Sequence, residues 1–365
     1  MNKSIFVHVG PPKTGTSAVQ KWLSDNQSFL EHNGVFYPPH SVDVNGVSSG
    51  NVRNLYDVND EKQLDLNIKR LDNLLMDFEA SDCSVMLLSS EFFFRRMDEL
   101  KAHFPSAKFI AYVRNPMEIK ESSYNQSVKR HFQLAKINSG RSKRLPYMAR
   151  LVEFTQKNGV KDLCLRLYGK EYFKNCNIVS DLLSVIGIEH EVTLPLVNSS
   201  YQFEALEFKR WFNQFELEQY QVMVDRALQG YNEGISDYSL IAPSDYLDDS
   251  IYYSTIIENY GKDLATDILA PLVSDMKSTS VKPYYSQELT EFGFLSVCGY
   301  LQKELKTDYY LLTKEVGRLT PIENLRFHEL FSRSCDKRYE YLYSLLTLRS
   351  HFKKYVVSLK NALRR

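Results

Sequence analysis

The sequence predicts an α/β fold: a parallel sheet flanked by helices, followed by a helical C-terminal extension. Three observations carry that prediction. Short apolar runs over 4–9, 84–89, 108–113 and 163–168 alternate with stretches of helical spacing, the pattern of parallel strands covered on both faces. The first run leads through a glycine-bearing loop straight into a helix start. Beyond residue 195 the strand signals fade, and helical spacing takes over.

The elements follow in order. Residues 4–9 read as a short buried strand, Gly10 to Gly15 as a loop, and Thr16 to Leu23 as the start of a helix. Asn33-Gly34 marks a turn before the apolar stretch Val35 to Tyr37. Residues 40–60, rich in Ser, Asn, Gly and Asp, predict a long loop. Leu64, Ile68, Leu71, Leu74, Leu75 and Phe78 share one helical face and predict a helix over 62–78. After the fourth strand come helices over 201–228, 251–276 and most of 286–365. A boundary near Lys282-Pro283 separates a catalytic domain, 1–282, from a helical extension, 283–365.

Composition excludes several classes. Forty-five basic residues balance forty-five acidic ones, so a global attraction to nucleic acid is excluded and any anion site is local. The five cysteines, at 83, 164, 176, 298 and 335, are odd in number and contain no C-x-x-C pair, which suits a reducing compartment. There is no HExxH and no Cys/His cluster, so no metal is expected. No apolar run approaches the roughly 18 residues of a membrane span, and the stretch before the first strand is too short for a signal peptide. A cytoplasmic protein is expected. The many Tyr and Phe residues suit core packing or a sugar-stacking surface.

Two segments carry chemistry. Between Phe6 and Leu23 a strand runs into a loop with Gly10, Lys13 and Gly15, then into a helix opening with Thr16 and Ser17. Backbone N–H groups at such a helix start hold phosphate well. Gly10 and Gly15 have the spacing of the Walker A pattern, but Thr16 stands where that pattern has lysine. The loop is P-loop-like in architecture and departs from the NTPase pattern; a plain turn is the other reading. In the second segment a strand delivers Arg114 to its carboxyl end, Pro116 starts a helix, and Ser122 lies eight residues past Arg114. The guanidinium fork matches phosphate oxygens, though an arginine at a strand end also serves as an ion-pair partner.

Together these segments resemble the PAPS-dependent sulfotransferase family, where PAPS is 3'-phosphoadenosine 5'-phosphosulfate. Pro12-Lys-Thr-Gly-Thr-Ser17 is similar to the family's loop for the 5'-phosphosulfate, which implies contacts from Pro12, Lys13, Thr14, Gly15, Thr16 and Ser17. Arg114-Asn-Pro with Ser122 is similar to its 3'-phosphate site. Tyr168 resembles in position a family tyrosine near adenine. The phrase from His8 to Ser17 looks like the bacterial saccharide-modifying branch. The resemblance spans residues 4–190; the later Gly-rich cofactor loop of some branches is not found.

The resemblance implies transfer of a sulfuryl group from PAPS to a hydroxyl on a saccharide, glycolipid or polysaccharide precursor, without a metal. Lys13 would neutralise the leaving phosphate. Glu91 ends the run Met86-Leu-Leu-Ser-Ser-Glu91, at the sheet edge where α/β folds bind ligands, and is the expected general base. A helix cap or an ion pair are the alternatives for it. His8, His103 and His131 are rival bases, with His8 read as a packed residue; His131, Lys129 and Arg130 could face the acceptor. A P-loop kinase-like phosphotransferase and a non-catalytic nucleotide-binding module are the competing functions. The last 29 residues, from Lys337, hold eight Lys or Arg and an apolar stripe including Leu345 and Leu348. That basic amphipathic helix suits peripheral contact with an anionic membrane, or docking on the protein itself.

Overall fold

The computed structural model of the chain describes residues 3–40, 48–61, 63–138, 140–142, 144–193, 200–278 and 282–348. Its strands are β1 (Ser4–His8), β2 (Val35–Phe36), β3 (Tyr56–Val58), β4 (Leu64–Leu66), β5 (Val85–Ser89), β6 (Lys108–Val113) and β7 (Leu163–Leu167). The α-helices through the sheet region are α1 (Thr16–Asp25), α2 (Gln27–His32), α3 (Val52–Leu55), α4 (Ile68–Ala80), α5 (Met97–His103), α6 (Pro116–Arg130), α7 (Pro146–Asn158) and α8 (Ile178–Val185). Then follow α9 (Phe203–Phe212), α10 (Glu218–Gln229), α11 (Pro243–Asp263), α12 (Ala270–Lys277), α13 (Glu291–Leu305), α14 (Thr307–Gly317) and α15 (Leu325–Arg333). A further helix covers 337–348.

The chain divides into two compact units. The first comprises Met1–Lys120, Gly140–Asn198 and Ser244–Ser280. It is α/β, with a five-stranded parallel sheet in the order β2-β5-β1-β6-β7. The strands form because their residues are apolar on both faces: Val7, Met86, Leu87, Leu88 and Phe109 to Val113 are all fully buried. One face packs Leu87, Ile110 and Tyr112 against Val19 and Leu23 of α1, Leu30 of α2 and Leu182 of α8. On the other, Phe109 meets Phe154 of α7 edge-on at 4.8 Å. The hydroxyl of Tyr112 donates to the buried Asp181 of α8 at 2.9 Å, and Arg166 Nε donates to the same carboxylate at 3.1 Å.

Register decides where the chemistry falls. His8 pairs with Ser89 and with Ile110, and Val113 pairs with Leu167. Parallel strands in this register all finish at one edge. The residues just beyond them, from Gly10, Ser90, Arg114 and Tyr168 onward, therefore open on the same side of the sheet.

The second unit comprises Glu121–Ser139, Ser199–Pro243 and Val281–Arg365. Its core is aromatic: Phe208, Trp211, Phe294, Phe327 and Phe331 from α9, α13 and α15 pack together, with Phe294 and Phe327 stacked at 4.3 Å. Lys209 is fully buried beside this core; its Nζ donates to Gln221 at 2.8 Å and to Asn213, and burial pushes its pKa down to about 8. This division differs from a single cut at Lys282-Pro283. The aromatic side chains of α9 find their partners on α13 and α15, so 199–243 groups with the last helices.

Other departures have local causes. The stretch 40–60 is not all loop, since α3 and β3 lie within it and β3 pairs antiparallel with β4. The helix expected over 62–78 begins at Ile68, where Asn67 caps it by accepting from Arg70 N at 3.1 Å. The helices expected over 201–228 and 251–276 are each two helices. Among the described residues no helix is long and apolar enough to cross a membrane.

Candidate active site at the carboxyl edge of the sheet

The loop from β1 to α1 is shaped by backbone conformation. Gly10, Lys13 and Gly15 all have positive φ, at 28°, 67° and 73°. A methyl group on Gly10 would sit 2.2 Å from Thr16 Oγ1, and one on Gly15 would press on Tyr168 and Ile178 at 3.1 and 3.0 Å. Lys13 holds its left-handed conformation with a side chain, a strained choice found mainly where function requires it. Thr14 Oγ1 donates to Pro11 O at 2.6 Å and so closes the loop on itself. Gly15 starts α1, which has no capping side chain and no acidic residue in its first turn. The positive end of that helix is thus open to an anion. Thr16 Oγ1 is buried and has no hydrogen-bond partner among the described residues. Pro12 and Ser17 are exposed.

Arg114 leaves the end of β6 and is held from three sides. Its Nη1 donates to Lys13 O at 2.8 Å, its Nε donates to Glu118 Oε2 at 2.9 Å, and its guanidinium lies 4.7 Å from the centre of the Tyr168 ring. Tyr147 on α7 donates its hydroxyl to Arg114 O at 3.2 Å. Tyr168 continues β7, with its N–H donating to Val113 O at 2.8 Å. One arginine therefore ties together the phosphate-type loop, the end of β6 and the end of β7.

Glu91 opens two turns of 3-10 helix, Glu91–Arg96, and Ser90 is the residue that caps it: its Oγ accepts from Phe92 N at 3.2 Å and donates to Ser49 O at 2.7 Å. Glu91 is solvent-accessible and makes no ion pair within 4.0 Å among the described residues. Its surroundings still desolvate it enough to hold its carboxyl above the ordinary carboxylate range, against the opposing pull of Lys13 and Arg95. Lys13 feels the converse. Partial burial lowers its pKa, Glu91 opposes that, and Arg114 adds to it. Lys13 lies within electrostatic reach of both Glu91 and Arg114.

His8 sits inside β1, fully buried. Its Nδ1 bonds Ser89 Oγ at 2.9 Å, and its ring meets Tyr112 edge-on at 5.8 Å. Nε2 has no partner among the described residues, and burial lowers the pKa to about 4. Ser122 lies in the second turn of α6, half-buried. His103, on α5, and His131, in the second unit, are both exposed. In that second unit Arg130 pairs with Asp225 at 3.3 Å, and Lys129 lies 4.2 Å from the Tyr201 ring centre.

Several contributors went unseen in the sequence. Gly50, at φ 64°, lies so close to Ser89 O that a methyl group would come within 1.9 Å. Asn51 brackets Ser89, accepting from its N–H at 2.8 Å and donating its own N–H to its carbonyl at 2.9 Å. These contacts fix the end of β5 that presents Glu91, and no local signal announces them. Glu118 was within reach of inspection, four residues past Arg114 in the first turn of α6.

No family model and no curated protein matches the sequence. A solved structure described as a crystal structure of a sulfotransferase from Alicyclobacillus acidocaldarius is similar at 15% identity, with a TM-score of 0.40, over 74% of this chain and 99% of that one.

Proposed function

We propose that the chain is a sulfotransferase that moves the sulfuryl group of PAPS to a hydroxyl of a saccharide, glycolipid or polysaccharide precursor. The observation that carries this reading is the bond from Arg114 to Lys13 O, which sets a phosphate-matched guanidinium beside a phosphate-type loop. The residues present suit such a donor. The open start of α1 and the unpartnered Thr16 hydroxyl suit the 5'-phosphosulfate. Arg114 suits the 3'-phosphate, with Ser122 as its sequence companion. Tyr168, already stacked under Arg114, is the proposed wall of the adenosine side.

The chemistry then follows. The acceptor oxygen attacks sulfur while Glu91 takes the hydroxyl proton, which a carboxylate of raised pKa does more readily. The new O–S bond forms as the bond from sulfur to the 5'-phosphate oxygen breaks, and adenosine 3',5'-bisphosphate leaves. Lys13 offsets the charge that develops on that phosphate. Thr16 in place of the Walker lysine weighs against phosphoryl transfer from a nucleoside triphosphate. A peripheral contact with anionic lipid through the basic C-terminal segment belongs to the same proposal.

The test is to incubate the protein with PAPS and a panel of glycans, and to seek sulfated product and adenosine 3',5'-bisphosphate by mass spectrometry. Phosphorylated product from ATP, with none from PAPS, would overturn the reading.

A further inference from the structure

Arg114 is not waiting with an empty fork. Its Nε is engaged by Glu118 at 2.9 Å and its Nη1 by Lys13 O at 2.8 Å, while Nη2 has no partner among the described residues. The two ends of the Arg114–Glu118 pair differ in freedom. The Arg114 side chain is 19% exposed and is held by the Lys13 carbonyl and the Tyr168 ring. The Glu118 side chain is 45% exposed, and among the described residues its hydrogen-bond partner is Arg114. Glu118 also stands in the first turn of α6, where the helix dipole favours a carboxylate even with its side chain turned away from Arg114. An ion pair with one partner this exposed is weak and easily exchanged.

We propose that Glu118 is a resident counter-anion of the donor site: it occupies the Arg114 fork when no donor is bound, gives way to the donor's 3'-phosphate, and returns to help expel the bisphosphate product. This rests on the sulfotransferase reading above. The geometry supports displacement of Glu118 rather than of Arg114, because only the glutamate has an unobstructed way into water. A carboxylate at the rim also discriminates. A ligand with a single 5'-phosphate leaves the pair intact, whereas one with a 3'-phosphate must break it and gains two guanidinium donors in return. Other carboxylates lie on the same side. Tyr172 donates to Asp275, and the charges of Asp275, Glu171 and Glu118 all act on its hydroxyl.

The opposing idea, that Glu118 only orients Arg114, predicts the reverse sign. Calorimetry with adenosine 3',5'-bisphosphate and adenosine 5'-phosphate separates them. With Glu118→Gln, bisphosphate binding should tighten about 5- to 20-fold, the scale of one removed competing and repelling charge, while 5'-phosphate binding stays within about twofold. Product inhibition by the bisphosphate should strengthen in step, with slower dissociation in stopped-flow. Glu118→Ala, which removes both the charge and any orienting bond, should tighten binding in the same direction. Weaker bisphosphate binding in either variant would overturn the proposal, as would no change, or equal tightening of both ligands. If wild-type protein does not prefer the bisphosphate at all, the donor-site reading falls, and this inference with it. A clear preference with no response to Glu118 exchange sinks this inference alone.

Discussion

Arg114 reaches back across 101 positions of sequence to donate from Nη1 to the carbonyl oxygen of Lys13, at 2.8 Å. The bond joins the two segments whose side chains carry charge at the sheet edge. It also helps hold Lys13 at φ 67°, a conformation that costs about 1–3 kcal/mol when nothing supports it. Arg114 is thus both a candidate phosphate ligand and a brace for the loop.

Arg114→Ala should therefore weaken adenosine 3',5'-bisphosphate binding about 10- to 100-fold, on the scale of one or two charge-assisted hydrogen bonds. Adenosine 5'-phosphate, which does not need the arginine directly, should lose only the smaller contribution of loop bracing. Calorimetric titration of both ligands checks this. Equal losses would assign Arg114 to bracing alone.

Turnover should depend on Glu91 and Lys13 in distinguishable ways. Glu91→Gln keeps the shape and removes the base, so turnover should collapse while bisphosphate binding survives. Lys13→Ala should cost about 10²–10³-fold in turnover, the usual scale for one preorganised electrostatic contact. A general base must be ionised, and Glu91 has its pKa raised chiefly by desolvation. The acid limb of kcat/KM should then lie above the ordinary carboxylate range, and activity should fall as pH drops through it. Wild-type turnover in Glu91→Gln would move the search for a base to other groups.

The parts of the fold legible in the sequence are those where one physical signal dominates. β5 and β6 are buried along most of their length and β1 and β7 in part, so each is a short, mostly apolar run. β3 and β4 were not legible: each is three residues long and only partly buried, so neither length nor alternation marks them. The break between α9 and α10 was hidden because apolar residues continue through Phe215, which packs into the same core. At the site, Lys13, Glu91 and Arg114 were legible because strand ends in a parallel sheet share an edge. The clasp of Gly50 and Asn51 on Ser89 was not, because it forms between segments 38 residues apart with no local pattern of its own.

The tail admits a direct test of the proposed lipid contact. The helix over 337–348 leaves Leu345 and Leu348 at 44% and 66% exposed, while Tyr343 packs on Tyr310 at 5.6 Å; the rest of the basic stretch, 349–365, lies outside the described residues. Full-length protein should co-sediment with phosphatidylglycerol vesicles at low salt and less so at high salt, since each basic residue near such a surface contributes about 1 kcal/mol before screening. Replacing Leu345 and Leu348 with serine should reduce binding and leave the fold intact, because neither is part of the core. Unchanged sedimentation of that variant, or equal binding to neutral vesicles, would refute the contact.

His8 gives the chain a pH-dependent stability whose sign is fixed by burial. The ring is enclosed, its Nδ1 is engaged by Ser89, and its pKa is lowered from 6.5 to about 4. Unfolded chains bind the proton below pH 6.5; folded chains resist it until about pH 4. Between those values the unfolded state holds more protons, so stability rises with pH across the window and is fully present above it. One group shifted this far accounts for about 3 kcal/mol between the ends of the window. Urea unfolding at a series of pH values should show that decline on acidification, and His8→Gln, which cannot titrate, should show less of it. In NMR the His8 ring signals should stay fixed as pH passes 6.5. Movement of the His8 signals near pH 6.5 would mean that the ring is hydrated in solution. It would then return as a rival to Glu91 for the acceptor proton.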